Sequence, residues 1–267
     1  MTSSFDADTA LARVDRTVFE GEIRPAWRVG RGPNGGYVAV LLLRALDMTL
    51  ADGEWSPCSL TVHYLRPPEV GPCRIETTVE RTGRTMTSLS ARLVQGGRPC
   101  ALALAAYSTA RHSIVLTDAT MPVVPPPEDC PRSPENFIAL DFTRNFEYRF
   151  AIGDPPFSGS AHARTGGWIR LAEERRADAL AIAAYTDAWV PCIFPQLAQP
   201  VPAPTIDLTI HFRTRLPLAS ATPGDFYLGV YSSKLAAEGF FEEDSEIWSR
   251  DGVLLAQSRQ LALLPEG

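Results

Sequence analysis

One short phrase occurs twice in this chain. Ser59 to Arg66 reads SLTVHYLR and Asp207 to Thr214 reads DLTIHFRT, so the core Leu-Thr-(Val/Ile)-His-(Tyr/Phe) returns after 148 residues. A second pair of segments follows in the same order, QGGRPCALALA in the first half and SRDGVLLAQSRQLA near the end. Two matched segments in one order point to an internal duplication. This constrains the fold more than any bulk property does. What one half builds the other must build too, and the 267 residues divide into two units of roughly 130, each of small-domain size.

The divider is legible. Thr117 to Asn136, TDATMPVVPPPEDCPRSPEN, carries six prolines in twenty residues. Proline cannot donate to a strand ladder and resists helix interiors, so this segment reads as an extended linker. The expected organisation is one repeat over residues 1–115, a linker over 116–136 and a second repeat over 137–267.

In the first repeat, RTVFEGEI predicts a short strand. GPNGGYVAVLLLRALDMTL predicts a helix with Asn34 as a possible N-cap. SLTVHYLRPP, CRIETTVERTG, RTMTSLSARLVQGG and RPCALALAAYST predict strands, the last three joined by glycine-containing turns as in a meander. The second repeat keeps this order. NFEYRFA and GGWIRLAE are strands, RRADALAIAAYTDAWV is a helix ended by Pro191, and TIDLTIHFRT, DFYLGVYSSKL, EGFFEEDSEIWSRDG and VLLAQSRQLALL are strands. A helix followed by an antiparallel run is not a βαβ unit, which disfavours a doubly wound parallel sheet and points to the α+β class. ALAIAAY is apolar all round, so that helix must be buried on nearly every side, and the concave face of a curled sheet offers the place.

Bulk properties exclude several partners. The formal charge of −6 argues against nucleic acid, which needs a basic surface. An anionic small molecule stays open, because a few arginines can hold phosphates on an acidic protein. The N-terminal stretch has no apolar run of signal-peptide type, and YVAVLLLRAL, broken by Arg44, falls short of the roughly 20 residues that cross a bilayer. No membrane association and a cytoplasmic location are expected. The five cysteines are odd in number and form no CxxC, which argues against a disulfide framework and against a zinc site.

The segments GPNGGYVAVLLLRAL, HYLRPPE and RTGRTMTS resemble the first half of the acyl-CoA thioesterase II family, and YTDAWVP, APTIDLTIHFR and DGVLLAQSRQ resemble its second half. The resemblance spans roughly Gly30 to Gln260. It implies a double hotdog, two repeats each with a long helix wrapped by an antiparallel β-sheet. It implies hydrolysis of acyl-CoA thioesters without metal or redox cofactor, and a homo-oligomer. It places the family's catalytic Asp, Thr and Gln on Asp187, Thr205 and Gln260.

The residues speak to this set unequally. Asp187 is the only charged residue from Ala179 to Ile206 and sits at helical spacing from Leu180, Ala183 and Ala184. A carboxylate in such surroundings is costly unless hydrogen-bonded, and burial raises its pKa toward general-base range. The bland alternative is a helix-end aspartate reaching water near Pro191. Gln260 shares a strand face with Ala256, Ser258 and Ala262, small residues suited to a close helix crossing, or else it is exposed at a strand end. Thr205 poses a register problem. If Ile206, Leu208, Ile210 and Phe212 face the helix, Thr205 faces away, unless a bulge near Pro204 resets the phase.

The NGG at the first helix start also has two readings. Asn34, Gly35 and Gly36 form a substrate-binding terminus, with the Gly36 N–H stabilising a thioester oxyanion, or the glycines only permit close packing. His63 and His211 lie on the polar face of their strands, where packing is the expected role. No G-x-S-x-G elbow and no Asp-x-Asn-x-x-His hydratase signature occurs. The alternative function is an acyl-CoA-binding or regulatory hotdog protein without turnover.

Overall fold

The computed structural model describes residues 3–50, 53–132 and 140–265. Its elements are α1 (Ser4–Asp8), β1 (Ala12–Asp15), β2 (Val18–Ile23), α2 (Gly35–Leu50), β3 (Ser56–Tyr64), β4 (Gly71–Thr82), β5 (Met86–Gln95), β6 (Arg98–Ser108), β7 (Phe146–Gly153), β8 (Arg164–Leu171), α3 (Ala179–Tyr185), β9 (Thr205–Phe212), β10 (Tyr227–Ser232), β11 (Phe240–Trp248) and β12 (Leu254–Leu263), with a few two-residue bridges. The strands join in one antiparallel sheet in the order β1-β2-β4-β5-β6-β3-β9-β12-β11-β10-β8-β7. The first six belong to one repeat and the last six to the other, in mirrored order. The fold is α+β, with α2 packed against β3, β4, β5 and β6 and α3 against β8 and β12.

The duplicated phrase is the seam. β3 and β9 pair antiparallel, Leu60 opposite Ile210, Val62 opposite Leu208 and Thr61 opposite Thr209. Equivalent threonines therefore face each other, and their hydroxyls hydrogen-bond at 3.1 Å. A local two-fold axis passes between them. His63 and His211 lie on the outer, exposed face, as strand alternation requires.

Asn34 starts α2 as predicted, its Oδ1 accepting the Tyr37 N–H at 3.0 Å. The helix is buried on all sides. Tyr37 to Leu43, Ala45 and Leu46 are closed to solvent, and each large side chain of that set contributes on the order of 2 kcal/mol of hydrophobic stabilisation. Part of that cover comes from α3, which packs directly on α2.

The second helix is shorter than its sequence suggests. It is capped at Asp178, whose side chain accepts the Ala181 N–H, and it ends at Tyr185 rather than running to Val190. The physical reason is local. The Thr186 hydroxyl takes the Ala183 carbonyl at 2.8 Å, so the Asp187 N–H turns to Ala184 in a tighter bond instead of continuing the α ladder. Asp187 thus lies in the turn after the helix.

The proline-rich segment has one short 3-10 turn, Pro127–Asp129, and no strand through Pro131. It packs on the second repeat, with the Pro125 carbonyl accepting the Trp168 indole N–H at 2.8 Å and Cys130 buried beside Trp168 and Trp248. Its last stretch, 133–136, lies outside the described residues. The five cysteines are all free.

Candidate active site

Asp187 comes from the second repeat but is held by the first. Its Oδ2 accepts the Gly36 N–H at 2.6 Å and the Asn34 Nδ2 amide at 3.1 Å, and the same amide donates to the Asp187 carbonyl at 2.8 Å. The N-terminus of α2 therefore points at a carboxylate, the arrangement that its free N–H groups and dipole favour. Small residues make this possible. A Cβ on Gly35 would sit 2.9 Å from the Asp187 Oδ2, and one on Gly36 would sit 3.1 Å from both the Asp187 Cβ and the Ala184 carbonyl.

The Gly36 N–H consequently serves Asp187 and does not stand free for an oxyanion. Both sequence readings of the NGG meet here, since the close approach brings the anion to the helix end and the anion is the protein's own. Asn34 likewise directs its amide at Asp187 and its oxygen at Tyr37.

Burial dominates the electrostatics of Asp187. It pushes the carboxyl up from 3.8, and the Gly36 N–H, Gln260 and Asn34 pull back, leaving it at about 6. The residue as a whole is partly exposed while its carboxyl is enclosed by these donors. Two tyrosines clamp the turn from either side. Tyr231 donates its hydroxyl to the Tyr185 carbonyl, and Tyr148 donates to the Ala188 carbonyl at 2.9 Å. Tyr64 donates to the Gly35 carbonyl at 2.8 Å, and its own ionisation is pushed far up by burial and by Asp187.

Thr205 reaches the interior through a bulge. The β9–β12 register shifts between Thr205 and Asp207, so Thr205 pairs with Ala262 and Asp207 with Leu261. That extra residue resets the side-chain phase. The Thr205 hydroxyl then donates to the Gln260 Oε1 at 2.8 Å. Gln260 is buried at 7% exposure, on the inner face with Ala256, Ser258 and Ala262. It also works against the burial of the Asp187 carboxyl, drawing its pKa down.

Sequence reasoning missed Glu243, opposite Gln260 on β11. It is 3% exposed, its Oε1 accepts the Gln260 Nε2 amide at 2.8 Å, and its Oε2 accepts the Cys192 N–H at 2.6 Å. The signal was present. In FFEEDSEIW, alternation from Phe241 to Ile247 puts Glu243 and Ser245 in the apolar phase, and all four are buried.

The two-fold-related end of the helix pair differs. Thr205 is replaced by Pro57 and Gln260 by Ala105, each at the matching position of its bulged strand pair. A cavity of about 280 Å³ opens there, lined by Asp47, Trp55, Pro57, Tyr107 and Asp178 among others, and no residue of the Asp187 site reaches it. A carboxylate persists at Asp47, held by the Tyr107 hydroxyl at 2.7 Å, without the hydroxyl–amide pair.

Two family models match the chain, the acyl-CoA thioesterase N-terminal domain over residues 23–108 and the acyl-CoA thioesterase C-terminal domain over residues 124–264. The chain belongs to the acyl-CoA thioesterase family. Among solved structures, a conserved protein of unknown function with a hot dog fold from Alicyclobacillus acidocaldarius is 31% identical, with all of both chains covered and a TM-score of 0.92. An acyl-CoA thioesterase II from Mycobacterium marinum has the same fold at 21% identity, 99% coverage of each chain and a TM-score of 0.81. An uncharacterized protein of Mycobacterium tuberculosis is 26% identical over 93% of this chain and 91% of its own. The double hotdog expected of a family member is the fold observed. Among the described residues no helix is long and apolar enough to cross a membrane.

Proposed function

We propose that this member of the acyl-CoA thioesterase family hydrolyses acyl-CoA thioesters to the free acid and CoA, with Asp187 as general base. The observation that carries the reading is the Asp187 carboxyl, enclosed, tied to a helix N-terminus and raised to about 6. A carboxylate near that value is ionised at neutral pH yet basic enough to take a proton from water in the transition state. Thr205 and Gln260, which do not titrate, hold that water beside it.

In the step, the water oxygen bonds to the thioester carbonyl carbon and its proton passes to Asp187. The tetrahedral intermediate then collapses, the carbon–sulfur bond breaks, and the thiolate of CoA takes the proton back from Asp187. Substrate binds along the Asn34–Gly36 turn, beside the carboxyl that this turn holds in place. Cytoplasmic location and homo-oligomeric assembly belong to the same proposal, checked by cell fractionation and by light scattering on the purified chain.

A panel of acyl-CoAs assayed for free thiol release tests the reading, wild type against Asp187→Asn. Release by wild type and loss of about a hundredfold or more in the variant is expected, the scale of general-base catalysis. Tight acyl-CoA binding with no release at any chain length would instead identify a binding protein.

A further inference from the structure

Glu243 is a buried carboxylate. Among the described residues it forms no ion pair, and its oxygens are held by two N–H donors, the Cys192 backbone and the Gln260 amide. Burying a charge this way is expensive, and a hydrophobic residue at this inward strand position would avoid the cost.

The geometry explains what it does. An ionised carboxylate only accepts hydrogen bonds, so Gln260 must turn its NH2 toward Glu243. Its carbonyl oxygen must then face Thr205. That oxygen accepts, so the Thr205 hydroxyl must donate to it, as found. The remaining lone pairs of the Thr205 oxygen are left to accept from a water molecule. The Cys192 N–H on the second carboxylate oxygen keeps Glu243 from rotating out of this role.

We infer that Glu243 is a positioning residue for the hydrolysis, fixing the direction of the Gln260 amide and, through it, the Thr205 hydroxyl as the acceptor of the attacking water. The inference rests on the hydrolase reading above. In this role Glu243 acts through two other side chains, Gln260 and Thr205.

The groups that face Glu243 and titrate are Asp187, the Cys192 thiol and the Tyr231 hydroxyl. Thiol and phenol are both pushed far up by burial and stay neutral through the working range. Burial raises Glu243 itself to about 7, while the Cys192 donors and Gln260 oppose the rise and Asp187 adds to it. The relay therefore loses its polarity as pH falls, when Glu243 gains a proton and stops acting as a pure acceptor.

The test uses the full chain and an acyl-CoA that it turns over. In Glu243→Gln, one carbonyl oxygen serves either Cys192 or Gln260 but not both. We expect kcat to fall about tenfold or more with KM within about twofold, the scale of one lost oriented hydrogen bond. Glu243→Asp, which keeps the carboxylate, recovers part of the loss. The wild-type kcat shows a two-proton acid limb and the Glu243→Gln enzyme a one-proton limb. Wild-type turnover with Glu243→Gln near the wild-type kcat, or an equal proton count in the two enzymes, overturns the inference and leaves the hydrolase reading standing. No turnover by wild type on any acyl-CoA overturns both. Should Glu243→Gln fail to fold, Glu243→Asp decides, because its shorter arm draws the carboxylate away from the Gln260 amide, and a kcat equal to wild type then overturns the inference.

Discussion

Replacing Asp187 by Asn should make the protein inactive and, at alkaline pH, more stable. The carboxyl moves from 3.8 to about 6 on folding, chiefly through burial. That is a shift of about 2 units, and at 1.36 kcal/mol per unit it amounts to about 3 kcal/mol as an upper bound. The sign follows from linkage. The folded state favours the protonated form, so its advantage is complete below about pH 4 and is lost as pH rises through about 6. Above that pH the native state carries an ionised carboxylate that the unfolded chain solvates better. Asparagine has the same shape and no charge, and its oxygen can still accept the Gly36 N–H. Urea unfolding at about pH 8 should show the variant more stable by up to about 3 kcal/mol, and at about pH 4 the two proteins should coincide. Thiol release, measured on the same samples, should fall by about two orders of magnitude or more. A variant that is less stable at both pH values would mean that the Asp187 hydrogen bonds outweigh its burial, and the account of its pKa would fail. A variant that keeps full turnover would remove Asp187 as the base.

Three further outcomes follow from the same geometry. Thr205→Val, which keeps shape and loses the hydroxyl, should lower kcat by about tenfold or more, while Thr205→Ser should retain most of it, read from steady-state thiol release. Gly36→Ala brings a Cβ to 3.1 Å of the Ala184 carbonyl and the Asp187 Cβ, and should cost about 1–3 kcal/mol in a denaturant melt together with turnover, because Asp187 is displaced. Asp47→Asn, at the two-fold-related end, should leave turnover unchanged yet stabilise the protein above about pH 6, since burial raises that carboxyl to about 6 as well.

Much of the fold was legible because its signals are local and repeated. The phrase shared by Leu60–Tyr64 and Leu208–Phe212 marked equivalent strands, and strand alternation put His63 and His211 outside. The length of the second helix was not legible, since RRADALAIAAYTDAWV has helical composition throughout. What ends it is a hydroxyl at Thr186 taking a backbone carbonyl, and composition does not register that competition. Thr205 shows the limit of periodicity. Alternation alone points it away from the site, and one bulged residue reverses this. Glu243 fails in the opposite way. Its phase was readable from Phe241 and Ile247, but a run with four carboxylates among Glu242, Glu243, Asp244 and Glu246 reads as a solvated face. The role of the glycines could not be settled by spacing, because the anion at the α2 terminus lies 151 residues away in sequence.

The bond between Gly36 and Asp187 crosses between the two repeats, and this makes the protein an obligate partnership within one chain. A separated second repeat would carry the acid, the hydroxyl and the amide, yet lack the helix end that orients the acid. A separated first repeat would carry that helix end and nothing for it to hold. Two fragments cut within the proline-rich segment would regain the site only by docking along the β3–β9 seam. Recovery of turnover on mixing would therefore report the strength of that seam, converting a structural contact into a quantity that an enzyme assay can read.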